Sequence, residues 1–333
     1  MALSGGIDSA LAAHLLKEAG NQVWGITMVH CPEAKETLKR VEEVARLLDI
    51  PLEIVDLKKT FREKVVAPFV KSYAQGLTPN PCPLCNREVK LGILMNKALA
   101  RGADRVATGH YARVEKGPRL LKGLDQNKDQ SYFLALLSRN QMERLVLPLG
   151  PRTRKEVERK ARELGLWQEG ITSSQEICFL KGHYTQLLKE WGIDPGPGPL
   201  VNLEGKVLGQ HKGYIHYTVG QRRGLGVATG EPLYVVGIIP GENKVVVGPA
   251  QALMKRKIRL AWVHWIHHPP GDPPWKLKVR IRYRHREAPA LVEKDGLHIT
   301  FKEPQRAPTP GQLAVFYLGE EVLGGGEILE TFN

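Results

Sequence analysis

SGGIDS at residues 4–9, followed at once by the helical period of residues 11–19, decides the fold. Two adjacent glycines let the backbone wrap closely around an anion, and the free N–H groups of the helix start behind them point at it. Ser4 and Ser9 add hydroxyl donors, and Asp8 can orient Mg²⁺ or a phosphate-bound water. No GxxxxGK[ST] is present, so the cradle is not of the Walker type. Such a loop normally follows a buried strand, yet only Met1, Ala2 and Leu3 precede it. Either that strand is very short, or residues completing it lie upstream of this sequence. A missing strand would expose a sheet edge or leave the pocket loosely supported.

Working outward, helix-like and strand-like segments alternate. Residues 22–29 read as a buried strand, 35–48 as an amphipathic helix and 52–55 as a short strand. Residues 88–101 repeat the helical period and 105–108 form a further strand. This rhythm predicts an α/β fold, a parallel sheet covered by helices with ligands at the carboxyl ends of its strands. Residues 139–166 read as helical and carry Arg152, Arg154, Lys155, Arg159, Lys160 and Arg162; a solvated helix face is favoured slightly over direct RNA contact. PGPGP at 195–199 punctuates the chain, and short alternating segments follow at 234–239, 244–247, 277–283, 290–292 and 313–317. Gly- and Pro-rich turns between them are the signature of small β-barrels or sandwiches. Three units result: 1–194, a small β-rich 195–251, and a C-terminal β-barrel at 252–333. His264, His267 and His268 read as surface residues rather than metal ligands.

The 333 residues suffice for two or three domains. No apolar run is long enough to cross a bilayer and no signal-peptide pattern is present, so the reading is a soluble cytoplasmic protein without membrane partners. Net charge is +13, from 48 Lys and Arg against 35 Asp and Glu, which suits a polyanionic partner or general basicity alone. Cys31, Cys82, Cys85 and Cys178 are too few for a disulfide framework, so grouped thiols point to chemistry or metal.

Two of the groups are suggestive. TPNPCPLCN at 78–86 lies ahead of a helix expected near Glu88, and a cysteine near a helix start has its thiolate favoured. SQEICF at 174–179 holds Cys178. A lone cysteine after an apolar residue is usually core filler, but three beside a nucleotide loop are less easily dismissed.

The loop at 4–9 resembles the PP-loop of ATP pyrophosphatases, which split ATP between the α and β phosphates to adenylate a substrate. With TPNPCPLCN at 78–86, ATGHYAR at 107–113, GLDQNKDQSYFL at 123–134, ICFL at 177–180, YTVGQRRGLG at 217–226, RIRYRHREAP at 280–289 and TPGQLAVFYLGEEVLGGGEI at 309–328, the chain resembles the tRNA-specific 2-thiouridylases over essentially its whole length. The resemblance implies ATP-dependent 2-thiolation of an anticodon wobble uridine, with tRNA and a cysteine desulfurase or sulfur-relay protein as partners. It assigns Leu3, Ser4, Gly5, Gly6, Asp8 and Ser9 to the ATP phosphates, and Met28 and Gly109 to the rest of the nucleotide. Cys178 matches the persulfide carrier and Cys85 its second catalytic cysteine, the pair able to exchange through a disulfide. Asn80, Pro81 and Cys82 would surround the target base and His110 would approach the tRNA. Lys128, Asp129, Gln130, Arg282, Tyr283 and Gln312 match tRNA-contacting positions.

Cys82 stands where many members of that family carry aspartate, and a thiol is a weaker acid–base group. Cys82, Cys85 and Cys178 form a possible ligand set for a [4Fe–4S] cluster with one open iron, and His183 offers a fourth ligand for zinc. The persulfide route stands slightly ahead of the cluster, with zinc a distant third. Cys31 reads as a structural thiol. Gln221, Arg222 and Arg223 read as a phosphate-contacting turn, with a salt-bridge role the rival for one arginine. Two other functions remain open: a PP-loop synthetase amidating a small acid, which has no need of Cys85 and Cys178, and a non-catalytic RNA-binding protein on the same fold.

Overall fold

The computed structural model describes residues 1–31, 35–166, 177–180, 182–227 and 230–333; the Ser174–Glu176 part of the third cysteine motif lies outside them. The strand in doubt is formed by the first three residues. Ala2 bridges Ile26 in parallel, Leu3 N donates to Ile26 O at 2.9 Å, and Ala2 N donates to Ala107 O at 2.8 Å. Residues 1–3 therefore sit in the middle of a parallel sheet. Gly25–Val29 and Leu52–Asp56 flank them on one side, Val106–Ala107 and Leu145–Val146 on the other. Both neighbours supply hydrogen bonds to these residues, and Met1 and Leu3 are buried.

Helix Ile7–Glu18 turns Ile7, Ala10, Leu11, Ala12 and Ala13 into a core shared with Val41, Ala45 and Val157. The expected helix over 139–166 is two helices, Arg139–Glu143 and Arg154–Glu163, with strand Leu145–Val146 between them. Pro148 and Pro151 forbid a continuous helix there. Gly150 packs so closely that a Cβ would lie 2.0 Å from Ala112 O. Both helices begin with capping boxes, Ser138 with Gln141 and Thr153 with Glu156.

The helix expected near Glu88 begins earlier, at Pro81, with Asn80 as its cap accepting from Cys82 N at 3.1 Å. It runs α-helical over Pro81–Cys85, π-helical over Asn86–Leu94 and α-helical again over Met95–Ala100.

Beyond residue 195 the chain is β-rich. Val207–His211, Gly198–Val201, Lys244–Gly248 and Tyr234–Ile239 form a four-stranded sheet in that order. Six strands then close into a barrel: Met254–Leu260 pairs both His298–Arg306 and Glu321–Phe332, and Ala288–Val292, Trp275–Arg280 and Leu313–Leu318 complete the ring. Leu277, Val279, Phe301, Phe316 and Ile328 fill it. The hairpin Ala112–Glu115/Arg119–Lys122, which belongs to the first half in sequence, adds itself to the last barrel strand through Leu121↔Glu321 and Leu120↔Val322. Among the described residues no helix is long and apolar enough to cross a membrane.

Candidate active site

The phosphate cradle forms where residues 1–3 give way to helix Ile7–Glu18. Gly5 takes φ +73°, a left-handed conformation that only glycine adopts without strain. Ser9 Oγ accepts from Ser4 N at 3.1 Å, lies 3.1 Å from Ser4 Oγ and donates to Gly6 O at 2.9 Å, which fixes the turn. Gly6 is the helix cap and supplies no side-chain acceptor, so the first N–H groups of the helix stay open toward an anion. Gly109 presses on this turn: a Cβ there would lie 2.7 Å from the Asp8 carbonyl carbon and 2.8 Å from Ser9 N. Asp8 has a different first duty from the expected one. Its Oδ1 accepts from Tyr111 Oη at 2.9 Å and from Arg154 Nη1 at 2.5 Å, so the guanidinium already neutralises it. Met28 lies two residues below His30 at the end of the neighbouring strand, half-buried.

The second element is the thiol pocket. Cys82 and Cys85 stand one turn apart on Pro81–Cys85, half-buried and buried respectively, and Cys178 is exposed. Phe179 anchors Cys178 by packing edge-on against Phe61 at 5.6 Å and Phe69 at 5.3 Å. Phe61 also packs at a tilt against His30 at 4.9 Å, which ties the cysteine to the end of strand Gly25–Val29. The helix-start argument for a lowered thiol pKa does not survive burial. Burial pushes Cys85 up to about 12, opposed by the Lys90 charge and reinforced by Cys178 and Cys82. Cys82 is raised too, again by burial against Lys90. Desolvation of a thiolate outweighs one short helix dipole.

Lys90 and His110 join the two elements. The Lys90 charge reaches Cys82, Cys85, Cys178 and His110. His110 follows Gly109 directly and places Nδ1 2.8 Å from Thr108 Oγ1. Burial, with Lys90 adding to it, pushes the His110 pKa down to about 3, so the ring is neutral at physiological pH. Neither Lys90 nor Tyr111 stands out in the sequence as a site residue, and Arg154, expected on a solvated helix face, is instead largely buried against Asp8. A lone lysine among Val89, Leu91 and Leu94 was the available signal for the first, since long cations rarely occupy an apolar helix face without purpose.

The metal readings fit less well. Among the described residues no three His, Cys, Asp or Glu side chains converge to hold an ion, so Cys82, Cys85 and Cys178 form no cluster cradle. His183 is the cap of helix Tyr184–Glu190, with Nδ1 2.8 Å from Thr185 Oγ1 and its ring stacked on Tyr184. His264 Nε2 lies 3.0 Å from Leu137 O, half-buried, and His267 pairs with Glu321 at 3.2 Å.

The chain matches known proteins over nearly its whole length. The tRNA-specific 2-thiouridylase MnmA of Syntrophomonas wolfei is 42% identical over 334 residues, covering 98% of each chain. This chain belongs to the tRNA-specific 2-thiouridylase family. The enzyme of the same name from Desulforudis audaxviator is 42% identical over 338 residues, and that from Syntrophotalea carbinolica 43% over 343, each alignment covering 98% of this chain and 97% of the relative. Family models match in three consecutive blocks: a tRNA methyl transferase HUP domain at residues 1–182, a tRNA methyl transferase PRC-barrel domain at 186–249 and an aminomethyltransferase beta-barrel domain at 255–328.

Against the family pattern, the positions marked for tRNA divide. Asp129 is buried: Oδ1 accepts from Gly123 N and Ser131 N, and Oδ2 from Ser131 Oγ and Arg280 Nη1. With four donors in place it is an internal anchor, not a surface contact, whereas Lys128 beside it is half-exposed. Gln130 Oε1 is held by Tyr111 N at 3.0 Å. Gln312 Nε2 donates to Thr78 O at 2.6 Å and Thr78 N donates to Pro310 O at 2.9 Å, so the barrel grips the loop that leads to Asn80 and Pro81. Tyr283 lies against Phe133 at 4.3 Å, and Arg282 Nη1 reaches Ala307 O at 3.3 Å. Arg222 and Arg223 are exposed.

Proposed function

We propose that the protein is an ATP-dependent tRNA-uridine 2-sulfurtransferase acting on the wobble uridine of the anticodon, in the cytoplasm. The observation that supports this most is the continuity from cradle to thiols: Asp8 and Ser9 touch Gly109, His110 follows it, and Lys90 faces both His110 and the three cysteines. A synthetase making a small amide needs the cradle but not the thiol pocket. Methyl transfer, which the domain descriptions mention, needs neither.

In this reading the open N–H groups of residues 7–9 and the Ser4 hydroxyl hold the ATP phosphates, Ser9 Oγ fixes the turn that presents them, and Met28 and Gly109 lie beside the rest of the nucleotide. Mg²⁺ bound with the triphosphate supplies charge neutralisation; Asp8 can lend it only the oxygen that Arg154 and Tyr111 leave. Asn80, Pro81 and Cys82 receive the extruded base, whose unstacking costs a few kcal/mol, less in a single-stranded loop.

Uracil O2 is a poor leaving group. Its attack on the α-phosphorus expels pyrophosphate while N3 gives up its proton, and C2 now carries AMP. The outer sulfur of a Cys178 persulfide displaces AMP from C2. The Cys85 thiolate then attacks Cys178 Sγ, forming a Cys85–Cys178 disulfide and leaving the outer sulfur on C2, and N3 recovers a proton. An external dithiol reduces the disulfide, and a cysteine desulfurase or sulfur-relay protein reloads Cys178. Exposure of Cys178 suits that delivery.

The division at 1–194, 195–251 and 252–333 belongs to the same proposal, with Lys128, Arg222, Arg223 and Arg282 as the cationic tRNA contacts. The test is incubation with ATP, unmodified tRNA and a desulfurase, followed by nucleoside mass analysis. A gain of sulfur for oxygen at uridine is expected, and Cys178→Ser abolishes it while ATP binding persists. No thionucleoside in the unaltered chain rejects the activity; normal thiolation by Cys178→Ser removes Cys178 from it.

A further inference from the structure

Lys90 sits five residues beyond Cys85. On an α-helix, residues three and four apart share a face and the fifth turns away. The segment Asn86–Leu94 is π-helical, with i→i+5 hydrogen bonding that brings the fifth residue back over its start, a geometry concentrated at functional sites. The π register is braced from outside. Gln141 Nε2 donates to Arg87 O at 2.7 Å and to Leu91 O at 2.8 Å, carbonyls on either side of Lys90. Asn86 Nδ2 ties the start of the segment to Phe133 O at 3.0 Å. Gly92 allows the close turn: a Cβ there would lie 2.7 Å from Arg87 O.

The result is one half-buried lysine whose charge acts on Cys82, Cys85 and Cys178 together and also on His30 and His110. Among the described residues no carboxylate pairs with it. Both flanking imidazoles are pushed toward the neutral form by burial, so Lys90 is the pocket's standing positive charge. Burial works against that charge, but the attraction of the cysteine sulfurs as they ionise outweighs it and raises the Lys90 pKa.

We infer that Lys90 is the positioning residue of the sulfur chemistry: its ammonium stabilises the negative sulfur of whichever cysteine is reacting, and the Gln141-braced π turn aims it there. The inference deepens the sulfur-transfer reading and rests on it only for its purpose. The pocket needs such a charge because a buried thiol left to itself stays protonated, and the thiolate is the nucleophile.

The experiment is iodoacetamide alkylation of the full chain between pH 7 and 10, with rates for Cys85 and Cys178 read by peptide mass. ATP-analogue binding is measured on each sample as the fold control. Lys90→Met is expected to slow alkylation of both cysteines about tenfold at pH 8 and to move the profile upward by about one unit, the amount one nearby charge commonly shifts a thiol. Lys90→Arg, which keeps the charge, is expected to restore most of the rate. Should Lys90→Met fail to bind the analogue, Lys90→Gln carries the same expectation with a polar head in the pocket. Profiles that superimpose on the unaltered chain in a charge-neutral variant that binds the analogue overturn the inference. Alkylation reads the thiols directly, so a shifted profile in a chain that makes no thiouridine separates this inference from the activity itself.

Discussion

Gly109→Ala tests the cradle with a single methyl group. The new Cβ would stand 2.7 Å from the Asp8 carbonyl carbon, 2.8 Å from Ser9 N and 2.9 Å from Asp8 O. All three are backbone atoms of the helix start, so no side chain can swing aside. Ordinary contact begins near 3.4 Å, and the loop after Val106–Ala107 and the cradle must part by about 0.7 Å. Overpacking of this kind costs about 1–3 kcal/mol of stability. The larger effect falls on phosphate binding. A shift of that size breaks one charge-assisted hydrogen bond, worth about 1.5–3 kcal/mol, and each 1.4 kcal/mol is tenfold in affinity. ATP-analogue affinity measured by calorimetry should fall about ten- to a hundredfold, while thermal unfolding remains cooperative. Gly241→Ala, at a position with nothing within 4 Å, is the control and should bind normally. Unchanged affinity in folded Gly109→Ala would refute the assignment of residues 4–9 as the phosphate cradle.

Three further outcomes follow from geometry already described. Gln312→Ala removes the bond to Thr78 O and should cost about 1 kcal/mol of stability and lower kcat/KM for tRNA several-fold, with ATP affinity unchanged; equal loss of both would show a general packing defect instead. His110 and His285 titrate in the folded chain near 3 and 4, both pushed down mainly by burial, whereas an unfolded histidine titrates near 6.5. Their folded pKa values are depressed, so their contribution is complete above pH 6.5 and is lost as pH falls toward 4 and 3. Denaturant midpoints should therefore drop through that window, by up to about 1.4 kcal/mol per unit for each group, and His110→Gln should flatten the slope. Arg222→Ala and Arg223→Ala should each reduce the salt slope of tRNA binding by about one, measured as log Kd against log salt; a slope that does not change places these arginines away from phosphate.

What the sequence revealed was mostly what short-range chemistry controls. SGGIDS was legible because two glycines, two serines and a helix start fix an anion cradle within six residues. The β-rich second half was legible because a two-residue period does not depend on distant partners. The single helix over 139–166 was misread because cations masked the Pro148–Pro151 interruption, where strand Leu145–Val146 slips into the sheet. The resemblance assigns Asp129 to tRNA, and nothing local announces Arg280, 151 residues away, as its partner. Lys90 stayed hidden for a subtler reason: helical period arithmetic assumes the α register, and only a π turn brings position 90 over position 85. The thiol acidity expected at Cys85 failed because a helix start is visible in sequence and the depth of a side chain is not.

The hairpin Ala112–Lys122, laid along Glu321–Phe332, has a consequence for dissecting the molecule. The final strand closes the barrel against Met254–Leu260 and simultaneously extends a ribbon that begins two residues after His110. Clipping the last dozen residues therefore opens the barrel seam and strips an edge from the catalytic half in one cut. Neither half can be excised cleanly, and the C-terminal barrel is joined to His110 through a few ångströms of continuous main chain.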